Sequence, residues 1–313
     1  MEYDEFRAMN TLVQVAAEGD PEDLRPGFER VRQFVEQSEE RFSRFRESSE
    51  LTRLNRFAGS WFYASPGMFD LVKAALKLHS LTGGLFDPAI LSALRHAGYD
   101  RSMDDIRRNG VLSAHSDWVS TSSHFAETRL DPETKAILLP AGTQIDLGGI
   151  AKGWIAARAA ELLSQFTEAC VVSAGGDMAL FGLPSGESAW DVSLEDPLDP
   201  DQVIAILKIA PGGLATSTVT RRKWLQNGQP RHHIIDPRSG EPANCQWLSV
   251  SVYANSILYA EAFAKALLIA GPSEAQKLLS RVGDLQYAAV DPNGEVIGNL
   301  ENMEMIYVPE PIL

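Results

Sequence analysis

Apolar positions along the chain follow two rhythms. From Pro21 to about Phe42 the sequence is largely polar, with apolar Phe28, Val31, Phe34 and Val35 at the three- and four-residue spacing of a helix face. Ser65-Pro66 opens a second helix that runs to Leu81, with Ser as N-cap, Pro at the first helical position and Gly83-Gly84 as its stop. A third is predicted from Pro88 to about His96, and an amphipathic helix from Gly149 to Phe166. Tyr259 to Ala270 and Pro272 to Arg281 complete the set. Short apolar or alternating runs read as strands: Leu12 to Ala17, Ile137 to Leu139, Ala169 to Ala174, Met178 to Leu183, Trp190 to Leu194, Val203 to Ile209 and Leu248 to Ala254, with two more near Ala288 and Ile306. Asp100 to Arg129 is polar, with serines at Ser120 to Ser123, and reads as a surface excursion in which little packs.

These strands come in groups between helices rather than alternating with them one by one. That pattern favours an α+β fold over a doubly wound parallel sheet. A chain of 313 residues is expected to form about two domains or one large one. No internal repeat and no Pro/Ser-rich linker divides it.

Composition narrows the function classes. A hydrophobic share of 44% supports a real core and excludes wholesale disorder. The net charge of −14 argues against binding nucleic acid, whose phosphates such a chain repels. Cys170 and Cys245, the 2 cysteines present, read as buried thiols rather than a disulfide framework. No apolar run is long enough to span a membrane. The acidic start, Met1 to Glu5, has neither an apolar signal core nor a lipid-attachment cysteine, so the expected location is cytoplasmic.

Five stretches carry candidate chemistry. Asp146-Leu147-Gly148-Gly149-Ile150-Ala151-Lys152-Gly153 passes from a strand end into a helix. Its glycines let a ligand approach the backbone, the helix N-terminus suits phosphate, and Lys152 adds a cation on the first turn. It could equally be an ordinary strand-to-helix turn. Ser173-Ala174-Gly175-Gly176-Asp177 is a glycine turn after a buried strand, in which Asp can serve as a local acceptor. Leu85-Phe86-Asp87-Pro88 places an Asp where it can cap a helix. Thr216-Ser217-Thr218 followed by Arg221-Arg222-Lys223 sets hydroxyls beside three cations, a locally basic spot suited to an anion such as a pyrophosphate, or a solvated face. His232-His233-Ile234-Ile235-Asp236-Pro237 sets two histidines on opposite faces of a strand, so that one can meet a ligand while the other packs.

In this order and spacing, together with Met9-Asn10-Thr11, Phe42-Ser43-Arg44-Phe45 and Ser49 to Asn55, the chain resembles the ApbE family of FAD:protein FMN transferases over nearly its whole length. The resemblance implies a single domain spanning 1–313, built as two interleaved lobes of mixed or antiparallel sheets and packed helices in a T-fold-related architecture. FAD would lie in the cleft between the lobes, and 100–130 would remain the surface excursion. It also implies transfer of FMN from FAD to a Ser or Thr of an acceptor flavoprotein with release of AMP, in the presence of Mg²⁺. Some members hydrolyse FAD instead. Carried over position by position, Met9, Phe45, Leu85, Phe86 and Asp87 line the flavin nucleotide, and Asp146 and Lys152 hold FAD. Ala174, Gly175, Gly176 and Asp177 bring backbone close, Ser217 lies in the hydroxyl-rich stretch at the cofactor, and His233 and Ile235 border it. Gly149 offers a carbonyl to the metal.

One departure from the family pattern matters. The family's metal site uses Asp and, four residues later, Thr or Ser; here these positions are Glu261 and Lys265. They lie one helical turn apart on the same face, and an ammonium has no lone pair to give a metal. Three readings follow: Lys265 takes the metal's place beside Glu261; Mg²⁺ shifts onto Glu261 and Gly149; or the pocket is degenerate and the pair is a surface salt bridge. On the first, the protein binds FAD with little or no transfer; on the second, Glu261, Lys265 and His233 belong to an active site. Thr218, where the family has Gly, is a lesser departure.

Overall fold

The computed structural model describes residues 1–110, 124–283 and 285–299. Its centre is an eight-stranded sheet in the order Glu2–Ala8, Thr11–Ala17, Cys170–Ala174, Asp177–Phe181, Gly212–Thr218, Ser249–Ala254, Gln286–Val290 and Val296–Gly298. Every neighbouring pair is antiparallel. The α+β expectation therefore holds, with helices grouped on a sheet rather than alternating with its strands.

Among the described residues seven α-helices accompany the sheet: α1 Pro21–Phe42, α2 Glu50–Arg56, α3 Pro66–Leu81, α4 Leu91–His96, α5 Met103–Asn109, α6 Ala151–Leu163 and α7 Ile257–Leu279. α6 packs on Cys170–Ala174 and Asp177–Phe181, α7 on Gly212–Thr218 and Ser249–Ala254, and α1 on α6. Alternate residues of each strand serve opposite faces. Val172, Ala179, Ala215 and Ala289 face the helical core, while Leu180, Leu214 and Ala288 meet a hairpin, Trp190–Glu195 with Val203–Ile209, that covers the other side.

Close approach between α7 and the sheet depends on glycine. A Cβ on Gly213 would lie 2.3 Å from the backbone N and Cα of Ile257, so no larger residue fits where α7 starts. Gly271 breaks α7 at φ 68°, just before Pro272, which accounts for the two helices expected over this region.

A smaller core joins distant parts of the chain. Ala93, Leu94, Ala97, Tyr99, Met103 and Ile106 pack against Trp224 and Ile235. The Trp224 indole N–H donates to the Ala97 carbonyl at 2.7 Å, and the Gln226 amide to that of His96 at 2.7 Å. Packing corrects the expectation for 100–129 at its ends: Met103 and Ile106 are buried in this small core and Phe125 in the main one. The Ser120 to Ser123 patch and the strand expected near Ile306 fall outside the described residues. Cys170 is buried, Cys245 is half-buried and both are free; burial pushes each thiol up to about 12, so neither is reactive at neutral pH.

Candidate functional site

The site begins with the turn that launches α6. Asn55 is buried, its amide donating to the Ile145 carbonyl at 2.9 Å and its side-chain oxygen accepting from the Ile145 N–H at 2.8 Å. This pair of hydrogen bonds to one residue fixes the segment just before Asp146, which is irregular rather than the strand end expected there, the preceding strand stopping at Leu138. The Asp146 N–H donates to the Pro88 carbonyl at 2.7 Å, and its carboxylate accepts from the Gly148 N–H at 3.1 Å, closing the turn. Asp87 makes a similar local bond, capping the 3₁₀ turn at Pro88 by accepting from the Ala89 N–H at 2.8 Å.

Ile150, at the N-cap of α6, offers no side-chain acceptor. The acceptor comes from α7: Glu261 takes the Gly153 N–H on Oε2 at 2.9 Å. A carboxylate against a helix N-terminus satisfies an orphan donor and opposes the helix dipole. Gly153 is needed for this approach, since a Cβ there would sit 2.8 Å from Glu261 Oε2.

Glu261 Oε1 is shared by two ammonium groups, Lys152 Nζ at 3.3 Å and Lys265 Nζ at 3.4 Å. Lys265 Nζ also donates to the Glu261 carbonyl at 3.4 Å, and Lys152 is in ion-pair contact with Asp177. Glu261 is 0% exposed, which overturns the surface-salt-bridge reading of the pair. Burial drives the Lys152 ammonium down to about 8, and lowers Lys265 as well, with Glu261 opposing both effects. Burial pushes the Glu261 carboxyl upward, but the two lysines and the Gly153 N–H outweigh it and hold the carboxyl below its ordinary value.

These groups back one wall of a cleft of about 390 Å³, within the usual size for a small-molecule site. Asp146, Gly148, Gly149, Lys152 and Lys265 line that wall. Met9, Phe45, Leu85, Phe86 and Ile235 supply apolar lining; Asp87, Gly175, Ser217, Arg221, Arg222 and His233 supply polar lining. Ala174, Gly176, Asp177 and Glu261 are not among the lining residues: Asp177 and Glu261 sit behind the two lysines. Gly175 and Gly176, at φ 66° and 92°, form the two-residue turn between Ala174 and Asp177. A Cβ on Gly175 would meet Thr11 Oγ1 at 2.3 Å.

The two histidines divide as their alternation predicts. One ring nitrogen of His232 lies 3.1 Å from the Ala243 carbonyl and the other accepts the Ile234 N–H. His233 lines the cleft, and its buried Nδ1 has no partner among the described residues. Burial, then the nearby Arg222 and Lys265 charges, hold His233 well below the ordinary imidazole value, so it is neutral at pH 7. Arg221 pairs with Glu195, and the Thr218 hydroxyl is spent on the Leu248 carbonyl at 2.9 Å and on Thr220.

Two lining residues were not singled out from the sequence. The Arg44 guanidinium lies against both Phe45 and Tyr99, 4.3 and 4.4 Å from the ring centres of this edge-to-face pair, and donates to the Tyr99 carbonyl at 2.7 Å. Tyr99 itself is carried into the cleft by the small core around Trp224. Arg44 lay within the Phe-Ser-Arg-Phe motif, but its role depends on a tyrosine 55 positions away.

A divalent cation does not fit this donor set. Both Glu261 oxygens are already engaged, one by the Gly153 N–H and one by two ammonium groups. Lys265 lies over Gly149, the Cε being 3.1 Å from where a Gly149 Cβ would stand. Among the described residues no group of three or more His, Cys, Asp or Glu side chains is placed to hold a metal.

Fold and cleft define an antiparallel-sheet α+β protein with a basic, glycine-walled site of nucleotide-binding character. The ApbE family model matches residues 9–289, and the chain belongs to that family. It is 28% identical over 298 residues to an FAD:protein FMN transferase of Treponema pallidum, covering 91% of this chain and 82% of that protein. It is 30% identical over 246 residues to one of Vibrio cholerae, covering 77% and 72%. The ApbE protein of Thermotoga maritima superposes with a TM-score of 0.80 at 25% identity, over 95% of this chain and 97% of that one. Pseudomonas stutzeri flavinyl transferase ApbE shares the fold, with a TM-score of 0.79 at 21% identity over 95% and 94%. No helix among the described residues is long and apolar enough to cross a membrane.

Proposed function

We propose that the protein is an FAD:protein FMN transferase that binds FAD in the cleft and moves FMN to a Ser or Thr hydroxyl of an acceptor flavoprotein. The observation that carries this reading is the convergence of Lys152, Lys265 and Arg222 beside Gly148 and Gly149 on a cleft to which Met9, Phe45, Leu85, Phe86 and Ile235 add an apolar lining. A dinucleotide needs both kinds of surface: fixed cations for its diphosphate, and apolar and aromatic side chains for its rings.

In the transfer, the acceptor hydroxyl oxygen attacks the phosphorus on the riboflavin side. The bond from that phosphorus to the bridging oxygen breaks, and AMP leaves with the bridging oxygen. Lys152, Lys265 and Arg222 bind the diphosphate and stabilise charge on its oxygens. His233, neutral and with Nδ1 unpartnered, is the group suited to accept the hydroxyl proton. The three neighbouring cations disfavour its imidazolium form in the free protein, and a bound diphosphate offsets them. No step in this scheme uses a metal, because the residues present do not fit one.

The test combines the protein with FAD and an acceptor domain that an ApbE-family transferase flavinylates, following AMP by chromatography and covalent flavin by in-gel fluorescence. Both products are expected, formed slowly. A folded protein saturated with FAD that yields neither is not a transferase. The Lys265 departure favours one second reading, an FAD-binding protein without transfer, and that result would support it. AMP without flavinylated acceptor marks an FAD pyrophosphatase.

A further inference from the structure

We propose that Lys265 and Lys152, held on a single oxygen of Glu261, supply as fixed charge what diphosphate binding needs, so that this chain binds FAD without a divalent cation. The inference rests on the reading of the cleft as an FAD site.

Placement supports it first. The Lys265 stem is packed against Gly149, and Phe86 comes within 3.4 Å of the same Gly149 Cβ position. This puts the ammonium on the lining of the cleft beside the glycine turn.

Anchoring supports it second. Lys265 touches Glu261 through two long contacts of 3.4 Å, and Lys152 uses Asp177 and Glu261. An ammonium has three donors, so each lysine keeps capacity for a phosphate oxygen. The carboxylates hold the lysines in place without exhausting them.

The charge count supports it third. Lys152, Lys265, Arg222 and Arg44 stand against Glu261, Asp177 and Asp146, the last paired with Arg44 at 3.7 Å, leaving one net positive charge at the wall before any ligand binds. A divalent ion arriving here would meet two ammonium groups and a carboxylate already shared between them. A diphosphate meets a ready cationic surface.

The experiment is a flavin-fluorescence titration of the full-length protein with FAD, in excess EDTA and in MgCl₂. The expected result is one dissociation constant, equal within about threefold in the two buffers. An affinity that collapses in EDTA overturns the inference and leaves the FAD reading standing. No FAD binding in either buffer overturns the FAD reading itself. Two variants extend the test. K265M is expected to lose about tenfold or more in FAD affinity in EDTA, the usual worth of a hydrogen bond to a charged group, and an unchanged affinity overturns the proposal. Glu261→Asp with Lys265→Thr is expected to make binding Mg²⁺-dependent; persistent EDTA-insensitive binding in that pair counts against the lysine. Near-ultraviolet circular dichroism verifies folding of both variants, and the EDTA comparison on the unaltered protein decides the question even where a variant does not fold.

Discussion

Replacing Glu261 by Gln tests the centre of the site directly. The amide keeps the shape and can still accept the Gly153 N–H, but the charge facing Lys152 at 3.3 Å and Lys265 at 3.4 Å is gone. The gross attraction of each pair is about 5 kcal/mol at an effective dielectric of 20, yet the net loss is smaller because a lysine can release its proton. Lys152 already sits at about 8. At pH 7, shedding that proton costs only about 1.4 kcal/mol even in the unaltered protein, which caps its share. Lys265, lowered in the same direction by burial, adds to the loss, and the bond to Gly153 weakens by about 1 kcal/mol as its acceptor loses charge. The two worked parts come to about 2.4 kcal/mol before the Lys265 share, near the low end of what an orphaned buried charge costs. Lys152 titrates lower folded than unfolded, so the unfolded chain binds more protons and stability rises with pH between the two values. In the variant that rise begins below pH 7; in the unaltered protein it begins near pH 8. By pH 9 Lys152 is neutral in both, and the gap between them should narrow by about 1.4 kcal/mol. Urea denaturation is the appropriate assay, because guanidinium would screen the charges. A loss under about 0.5 kcal/mol at pH 7, or one equally large at pH 9, would refute the reasoning.

Three further outcomes are expected. His233→Asn should lower the rate of FMN transfer by about 10²–10⁴-fold while leaving FAD affinity near its original value, as titration and turnover measured together will reveal. Asn55→Ala orphans both backbone groups of Ile145, so it should destabilise the fold by about 2–4 kcal/mol in urea and weaken FAD binding through the loosened turn at Asp146. Gly175→Ala combines a left-handed φ of 66° with a Cβ only 2.3 Å from Thr11 Oγ1, and should cost about 1–3 kcal/mol; a thermal melt identical to the original would contradict the close approach.

Much of this architecture is legible in the chain because strong local signals agree with the tertiary structure. α1 and α3 carry apolar stripes and side-chain caps, Asp20 accepting from Glu22 and Ser65 from Met68, and their bounds match expectation closely. Weaker elements escape. The strand Glu2–Ala8 is polar at most positions, since it is the sheet's edge and only Phe6 and Ala8 are buried. α5 has 7 residues and owes its order to Met103 and Ile106 meeting Trp224, a partner more than a hundred positions away. The cleft shows the same division. Its glycine turns and Lys152 announce themselves by composition, and the Glu261–Lys265 spacing exposes one ion pair. What cannot be read is that Lys152, 109 positions from Glu261, shares the same oxygen, or that Glu261 caps the helix bearing Lys152.

That shared oxygen changes how the departure at Lys265 should be understood. A Glu–Lys pair one turn apart on an exposed helix is worth only a few tenths of a kcal/mol and says little about function. Here the carboxylate is buried, caps α6 and holds two cations, so the fold and the binding wall depend on the same side chain. Such a charge cannot dissociate or exchange as a metal ion does. It also cannot be removed without exposing two lysines to an environment that already pulls their protons away. The chain as a whole repels anions at a net charge of −14, and that makes the local arrangement more telling. The positive charge at this wall is not borrowed from a basic surface: it is built residue by residue, with Asp177 and Glu261 holding the lysines in place and a net positive charge left over.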